Sequence, residues 1–235
     1  MNQPALPWRV SLEDKYTLPR GRAFMSAIQA LVRLLMLQRE RDARAGLDTA
    51  GFVSGYRGSP LSGLDLALDR ARAHLARHAV RFQPGVNEDL AATAVWGTQQ
   101  LDCFPGARHD GVFAMWYGKM PGVDRSGDVL RHANAAGSAR HGGVLLAAGD
   151  DPASRSTSVA DQTELIFKAL AIPVLAPASV QDILDLGLHG FAMSRYSGCW
   201  IAMKCVSDVI ESSASVEIDP ERVRIATPTD FAMPA

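Results

Sequence analysis

Three consecutive residues, Asn87-Glu88-Asp89, are the best-placed candidates for chemistry in this chain of 235 residues. Asparagine is a strong helix N-cap, and two acids in a first helical turn complement the helix dipole. Capping alone accounts for all three. Yet the residues that follow, Leu90 to Trp96, are almost wholly apolar. A carboxylate at the root of such a helix is partly desolvated, which suits it to proton exchange. From the spacing alone, cap and catalyst both stand.

Several other chemistries are excluded by pattern. Gly51, Gly55 and Gly58 have the wrong spacing for a dinucleotide fingerprint, and no phosphate loop of the form G-x-x-x-x-G-K-[ST] occurs. There is no H-E-x-x-H and no G-x-S-x-G nucleophile elbow. The six histidines are dispersed, so no metal site is expected in this chain. Cys103, Cys199 and Cys205 form no C-x-x-C pair, which argues against zinc or an iron–sulfur cluster here. Their odd number and wide spacing read as buried free thiols in a reducing compartment.

Composition narrows the class. Hydrophobic residues make up 47% and charged residues 21%, enough for an ordinary globular core. The net charge of −1 creates no global field for nucleic acid or an anionic membrane. Twenty of the 24 basic residues are arginine, but they are scattered and form no patch. Met1 to Lys15 lacks the apolar core of a signal peptide, and no apolar run approaches the roughly 18 residues of a membrane span. The expectation is a cytoplasmic protein that binds neither nucleic acid nor membrane.

These residues must be positioned by a regular frame. Residues 1–15 read as a tail. Phe24, Ile28, Leu31, Leu34 and Leu35 recur at helical steps, predicting a helix over Arg20 to Ala45. Six short apolar runs then read as strands: Ala50–Ser54, Val80–Gln83, Gly111–Tyr117, Val144–Ala148, Pro173–Leu175 and Cys199–Val206. Helical stretches separate them, at Leu61–His78, Asn87–Leu101, Val123–Arg140, Ser158–Leu170 and Val180–Ser194. Such alternation predicts an α/β fold, a doubly wound, mostly parallel sheet of about six strands. The near-continuous apolar runs suit strands buried on both faces. The domain is expected over 16–215, with 216–235 as the start of a linker to further domains.

In open parallel sheets ligands bind at the carboxyl ends of the strands. Four turns expected there are rich in Gly, Ser, Asn and Asp: Gly55–Ser62, Gly85–Glu88, Gly118–Asp128 and Gly149–Ser158. They should converge on one rim. Turn chemistry alone also favours these residue types, so the composition marks a rim without proving a site.

Five long strings then carry a resemblance: GFVSGYRGSPLSGLD (51–65), RFQPGVNEDLAATAVWGTQQ (81–100), MWYGKMPGVDRSGDVLRHANAAG (115–137), GGVLLAAGDDPASRS (142–156) and GLHGFAMSRYSGCWIAMK (187–204). Through them the chain resembles the N-terminal part of the indolepyruvate ferredoxin oxidoreductase family. More broadly it is similar to the thiamine-diphosphate-dependent 2-oxoacid:ferredoxin oxidoreductases. The resemblance spans most of residues 16–215 and implies the domain that binds the aminopyrimidine ring of thiamine diphosphate. It implies oxidative decarboxylation of aryl 2-oxoacids to acyl-CoA, with electrons passed through iron–sulfur centres to ferredoxin and coenzyme A taking the acyl group.

The resemblance also assigns residues. In the family, the glutamate of the N-E pair contacts the ring nitrogen opposite the amino group and promotes the tautomer that accepts a proton from the reacting carbon. Carried over, this is Glu88, with Asn87 beside it. Tyr56-Arg57-Gly58-Ser59-Pro60 is similar to the family's glycine, threonine-or-serine, proline turn near the reacting carbon. Tyr56, Gly58, Ser59 and Pro60 then face the cofactor, Ser59 hydrogen-bonds cofactor or substrate, and Arg57 is a partner for the substrate carboxylate. Arg125 is a second such partner, or a surface ion pair. Asp124, Asp150 and Asp151 match family strings without separate roles.

One expected feature is missing. Thiamine enzymes grip the diphosphate through magnesium, at a G-D-G followed about 25 residues later by asparagine. Gly149-Asp150-Asp151 breaks that pattern, and the asparagines are only 2, 87 and 134. Magnesium, iron–sulfur clusters and the diphosphate site are therefore expected on other domains or a partner subunit, and the chain alone is expected to be inactive. Self-association is expected too, since thiamine sites form between domains. The competing reading is a non-catalytic binding or assembly module that retains only the fold.

Overall fold

The computed structural model describes residues 10–160 and 162–230. Residues 1–9 of the expected tail, and 231–235 of the expected linker, lie outside the described residues. The chain runs α1 (Asp14–Thr17), β1 (Gly21–Ser26), α2 (Ala27–Arg44), β2 (Thr49–Gly55), α3 (Leu64–Arg70), α4 (Arg72–Arg77), β3 (Val80–Phe82), α5 (Glu88–Thr98), β4 (Gly111–Lys119), α6 (Met120–Arg125), α7 (Gly127–Ala136), β5 (Val144–Asp150), α8 (Glu164–Ala169), β6 (Val174–Leu175), α9 (Val180–Ser197), β7 (Ile201–Val206), α10 (Ser207–Ile210) and β8 (Ser213–Ile218).

Six strands form one sheet in the order β3-β2-β4-β5-β7-β6. Every pairing in it is parallel. Each of the six strands expected from the apolar runs overlaps one of these. Helices cover both faces. On one face, α2, α3, α4 and α9 pack around Leu34, Leu35, Phe113, Met115 and Phe191. On the other, α5, α6, α7 and α8 pack around Trp116, Leu130, Leu146 and Phe167. Strand alternation divides the two cores: Phe113, Met115 and Tyr117 serve the first, Ala114 and Trp116 the second. Burial on both faces explains why these strands lack a polar alternation.

The helix expected over 20–45 is corrected at its start. Gly21–Ser26 is a strand, with Ala23 and Met25 buried and Phe24 70% exposed. It pairs antiparallel with β8, from Gly21 opposite Ile218 to Ser26 opposite Ser213. The helix begins at Ser26, whose side chain accepts from the Gln29 backbone while the Gln29 side chain accepts from the Ser26 backbone. This reciprocal cap fixes the boundary. The same pairing carries regular structure past residue 215, through Ile218, which is fully buried. Local pattern could not show this, because the two strands lie almost the whole chain apart. Three other helical stretches are shorter or broken: 61–78 divides into α3 and α4, 123–140 into α6 and α7, and 158–170 shrinks to α8. Among the described residues, no helix is long and apolar enough to cross a membrane.

The crossovers set the position of the site. The chain leaves β2 through α3 and α4 on one face, and leaves β4 through α6 and α7 on the other. The connections therefore part company between these neighbouring strands. A crevice opens outside their carboxyl ends, the place where doubly wound sheets take ligands.

Candidate active site

Glu88 enters this crevice from the edge of the sheet. It follows the short edge strand β3 as the first residue of α5. Asn87 caps the helix, its side-chain oxygen accepting from Leu90 N at 2.8 Å. The Trp116 indole, rising from β4, donates to the Glu88 carbonyl at 2.9 Å and fixes the helix start from below. The capping reading of Asn87 is thus correct, and it leaves the half-buried Glu88 side chain for other work.

That side chain lies against two glycines. A Cβ on Gly122 would stand 2.4 Å from Glu88 Cγ and 2.9 Å from Glu88 Oε1. A Cβ on Gly118 would stand 3.4 Å from Glu88 Cγ. Gly118 is buried near the end of β4 and Gly122 lies in α6, so strand and helix together form a cradle that any larger residue would fill.

The four polar turns do converge. Gly85 N donates to Gly55 O at 2.9 Å, joining the turns after β3 and β2. Tyr56 N donates to Tyr117 O at 3.1 Å, joining the turn after β2 to the end of β4. Gly58 packs against Lys119, leaving only 3.0 Å between its would-be Cβ and Lys119 Cβ. Buried Pro60 follows a cis peptide bond and covers Gly149 at the end of β5. Ser59 is half-buried in this turn, while Tyr56 and Arg57 are exposed. Beneath them the Tyr117 hydroxyl donates to Asp65 at 2.6 Å, and burial with that acidic partner pushes the phenol's pKa upward. Arg125 and Asp124 sit exposed at the end of α6.

Asp150 and Asp151 take structural parts. β5 and β7 also send their chains to opposite faces, but that second crevice is filled. Ser207 Oγ donates to Asp150 O at 3.0 Å and lies 3.4 Å from Asp151 Oδ1. Asp150 is fully buried; its Oδ2 accepts from Thr163 N at 3.2 Å and Thr163 Oγ1 at 3.1 Å, and its Oδ1 has no partner. Burial pushes its pKa up to about 6, against the opposing pull of Thr163 and of Lys204 at 3.9 Å. Asp151 accepts from Ser156 N at 2.8 Å and Ser156 Oγ at 3.1 Å, which holds its carboxyl below the usual range. The pair ties the loop after β5 to the sheet.

The expectation of buried thiols is corrected in part. Only Cys205 is buried; Cys199 is half-buried, and Cys103 is exposed in the turn after α5, away from the sheet.

Known proteins are similar to this chain in sequence or in fold. The indolepyruvate oxidoreductase subunit IorA of Pyrococcus abyssi is 27% identical over 173 residues, 73% of this chain and 24% of the relative. That of Methanothermobacter thermautotrophicus is 26% identical over 188 residues, 79% of this chain and 28% of the relative. The chain is similar in sequence to these indolepyruvate oxidoreductase subunits. It spans only about a quarter of the length of these curated relatives, 24% and 28%. No family model matches the sequence. A 2-oxoglutarate:ferredoxin oxidoreductase from Magnetococcus marinus, solved with 2-oxoglutarate, coenzyme A and succinyl-CoA, shares the fold. It superposes at a TM-score of 0.60 with 15% identity, covering 91% of this chain and 34% of its own.

The sequence marks Gly118–Asp128 as a rim turn but gives no separate role to three of its members. Gly118, Gly122 and Lys119 all lie in the string MWYGKMPG, and glycine after a buried strand was the available signal. Their relation to Glu88 and Gly58 needs the fold.

Proposed function

We propose that this chain supplies the pyrimidine-binding half of a thiamine diphosphate site in a 2-oxoacid:ferredoxin oxidoreductase acting on aryl 2-oxoacids. The observation that carries the reading is Glu88, a half-buried carboxylate cradled by Gly118 and Gly122 in the crevice between β2 and β4. When bound, thiamine diphosphate supplies the electron sink for decarboxylation of a 2-oxoacid. The chain's own contribution is position and proton control. Glu88 would hold its carboxyl group toward the ring nitrogen opposite the amino group and share a proton with it. Asn87 keeps the helix start in place. Tyr56, Gly58, Ser59 and Pro60 form the opposite lip, with Ser59 as a hydrogen-bond partner, while Arg57 and Arg125 bring positive charge to the rim.

The rest of the reaction belongs to other parts of the enzyme. Magnesium, the diphosphate grip and the iron–sulfur clusters sit on further domains or a partner subunit. Coenzyme A accepts the acyl group and ferredoxin the electrons. The chain is inactive alone, and it assembles with copies of itself in the cytoplasm.

The test is Glu88→Gln in the complete enzyme. Turnover of the 2-oxoacid falls by roughly 10²–10⁴-fold, with circular dichroism unchanged. Unaltered turnover overturns the proposal.

A further inference from the structure

Two neighbouring residues of β4 reach opposite lips of the crevice. Strand alternation turns Trp116 and Tyr117 to opposite faces of the sheet. Trp116 holds the Glu88 lip, its indole donating to the Glu88 carbonyl at 2.9 Å. Tyr117 holds the other lip, and it does so at both ends of the 56–63 arch. Where the arch leaves β2, Tyr56 N donates to Tyr117 O at 3.1 Å. Gly55 lies directly on the ring there, since a Cβ on it would stand 2.5 Å from Tyr117 Cγ. Where the arch enters α3, the Tyr117 hydroxyl donates to Asp65 Oδ1 at 2.6 Å. Ser59 is carried between these two ties. Tyr117 itself is fully buried, its ring centroid 6.5 Å from that of Phe82. Burial raises its pKa, so the phenol keeps the proton that it donates.

We propose that the Tyr117–Asp65 hydrogen bond sets the position of the 56–63 arch and thereby places the Ser59 hydroxyl for the 2-oxoacid. Tyr117 is then a positioning residue, which acts through Ser59 without touching substrate. This rests on the reading of Glu88 given above and extends it to the opposite lip. A hydroxyl donating to a carboxylate makes a short, charge-assisted bond, the stronger kind. Gly58 and Ser59 have little side chain to pack, so the arch takes its shape from this bond and from buried Pro60 and Leu61. Because Trp116 and Tyr117 are adjacent, a single strand refers the two lips to one another. A displacement near 1 Å in a group that positions substrate costs up to about a hundredfold in rate.

The experiment uses the complete enzyme and measures kcat/KM for the 2-oxoacid in Tyr117→Phe, Asp65→Ala, Asp65→Asn, Ser59→Ala and Glu88→Gln. Tyr117→Phe keeps the ring under Gly55 and removes only the hydroxyl. It lowers kcat/KM by about tenfold, with circular dichroism unchanged. Asp65→Ala does the same, whereas Asp65→Asn, whose amide oxygen still accepts from the phenol, recovers most of the loss. Ser59→Ala also lowers kcat/KM by about tenfold, and adding Tyr117→Phe to it costs less than about twofold more. A Tyr117 that merely stabilised the fold would give additive losses. Wild-type kcat/KM in Tyr117→Phe overturns the inference, as do additive losses in the double variant or equal losses in Asp65→Ala and Asp65→Asn. Full turnover in Glu88→Gln instead overturns the underlying functional reading, so the two failures are distinguishable.

Discussion

Glu88 is held in place by what its neighbours lack. Gly122→Ala puts a methyl group 2.4 Å from Glu88 Cγ, so the carboxylate must swing away. In the complete enzyme this lowers turnover by roughly tenfold to a hundredfold, the scale of a displacement near 1 Å. Gly127→Ala is the matched control, because a Cβ there meets nothing within 4 Å. It leaves turnover unchanged and adds slightly to the stability of α7. Steady-state kinetics of the pair separates a cradle from general glycine intolerance. Asp150 gives a second prediction at this scale. The folded state holds its proton to about pH 6, whereas the unfolded chain releases it near 3.8. Its contribution to stability is therefore lost as pH rises through that window, by about 2–3 kcal/mol. Urea unfolding at several pH values should show a smaller decline between pH 4 and 6 in Asp150→Asn than in wild type.

Among the elements, the most constrained junction joins α2 to α9. Arg195 pairs with Asp42 through two contacts of 2.7 and 2.8 Å, and Asp42 also accepts from Gln38 and Thr49. The same guanidinium donates to the carbonyls of Gly142 and His141 before β5. One side chain thus locks two helices and a strand entrance. Arg195→Ala leaves the buried Asp42 without its charged partner and costs about 3 kcal/mol. Chemical denaturation checks it, and a loss below about 1 kcal/mol would show that the junction tolerates an unpaired carboxylate. Gly187 lets the same two helices approach, since a Cβ there would lie 2.3 Å from Leu34 Cδ2. This network sits at the amino ends of the strands, across the sheet from Glu88. The stabilising network and the proposed site thus lie at opposite ends of the strands.

Taken whole, the molecule presents an open rim. Beside Glu88, α5 turns Leu90 outward at 54% exposure, and Val86 before it is 82% exposed. The diphosphate accounts for much of a thiamine cofactor's affinity, and this chain carries no G-D-G motif with a following asparagine. Calorimetry of the isolated chain with thiamine diphosphate and magnesium should therefore show weak binding or none. Tight, magnesium-dependent binding would place the whole cofactor site in this chain and contradict the half-site.

The residue sequence by itself determined the sheet. Strands buried on both faces must be apolar runs, so all six were legible as Ala50–Ser54 through Cys199–Val206, and the polar turns after them marked a rim. It also supplied both readings of Asn87-Glu88, the cap and the carboxylate. Tertiary structure decided what depends on distant partners. Gly21–Ser26 reads locally as helix and becomes a strand only because Ser213–Ile218 lies beside it. Asp150 and Asp151 looked equivalent to any rim acid until packing buried both and tied them to the loop after β5. The setting of Glu88 was decided in the same way. Its own helix shows only where the carboxylate starts, whereas two glycines, from β4 and α6, lie against its side chain and leave it room.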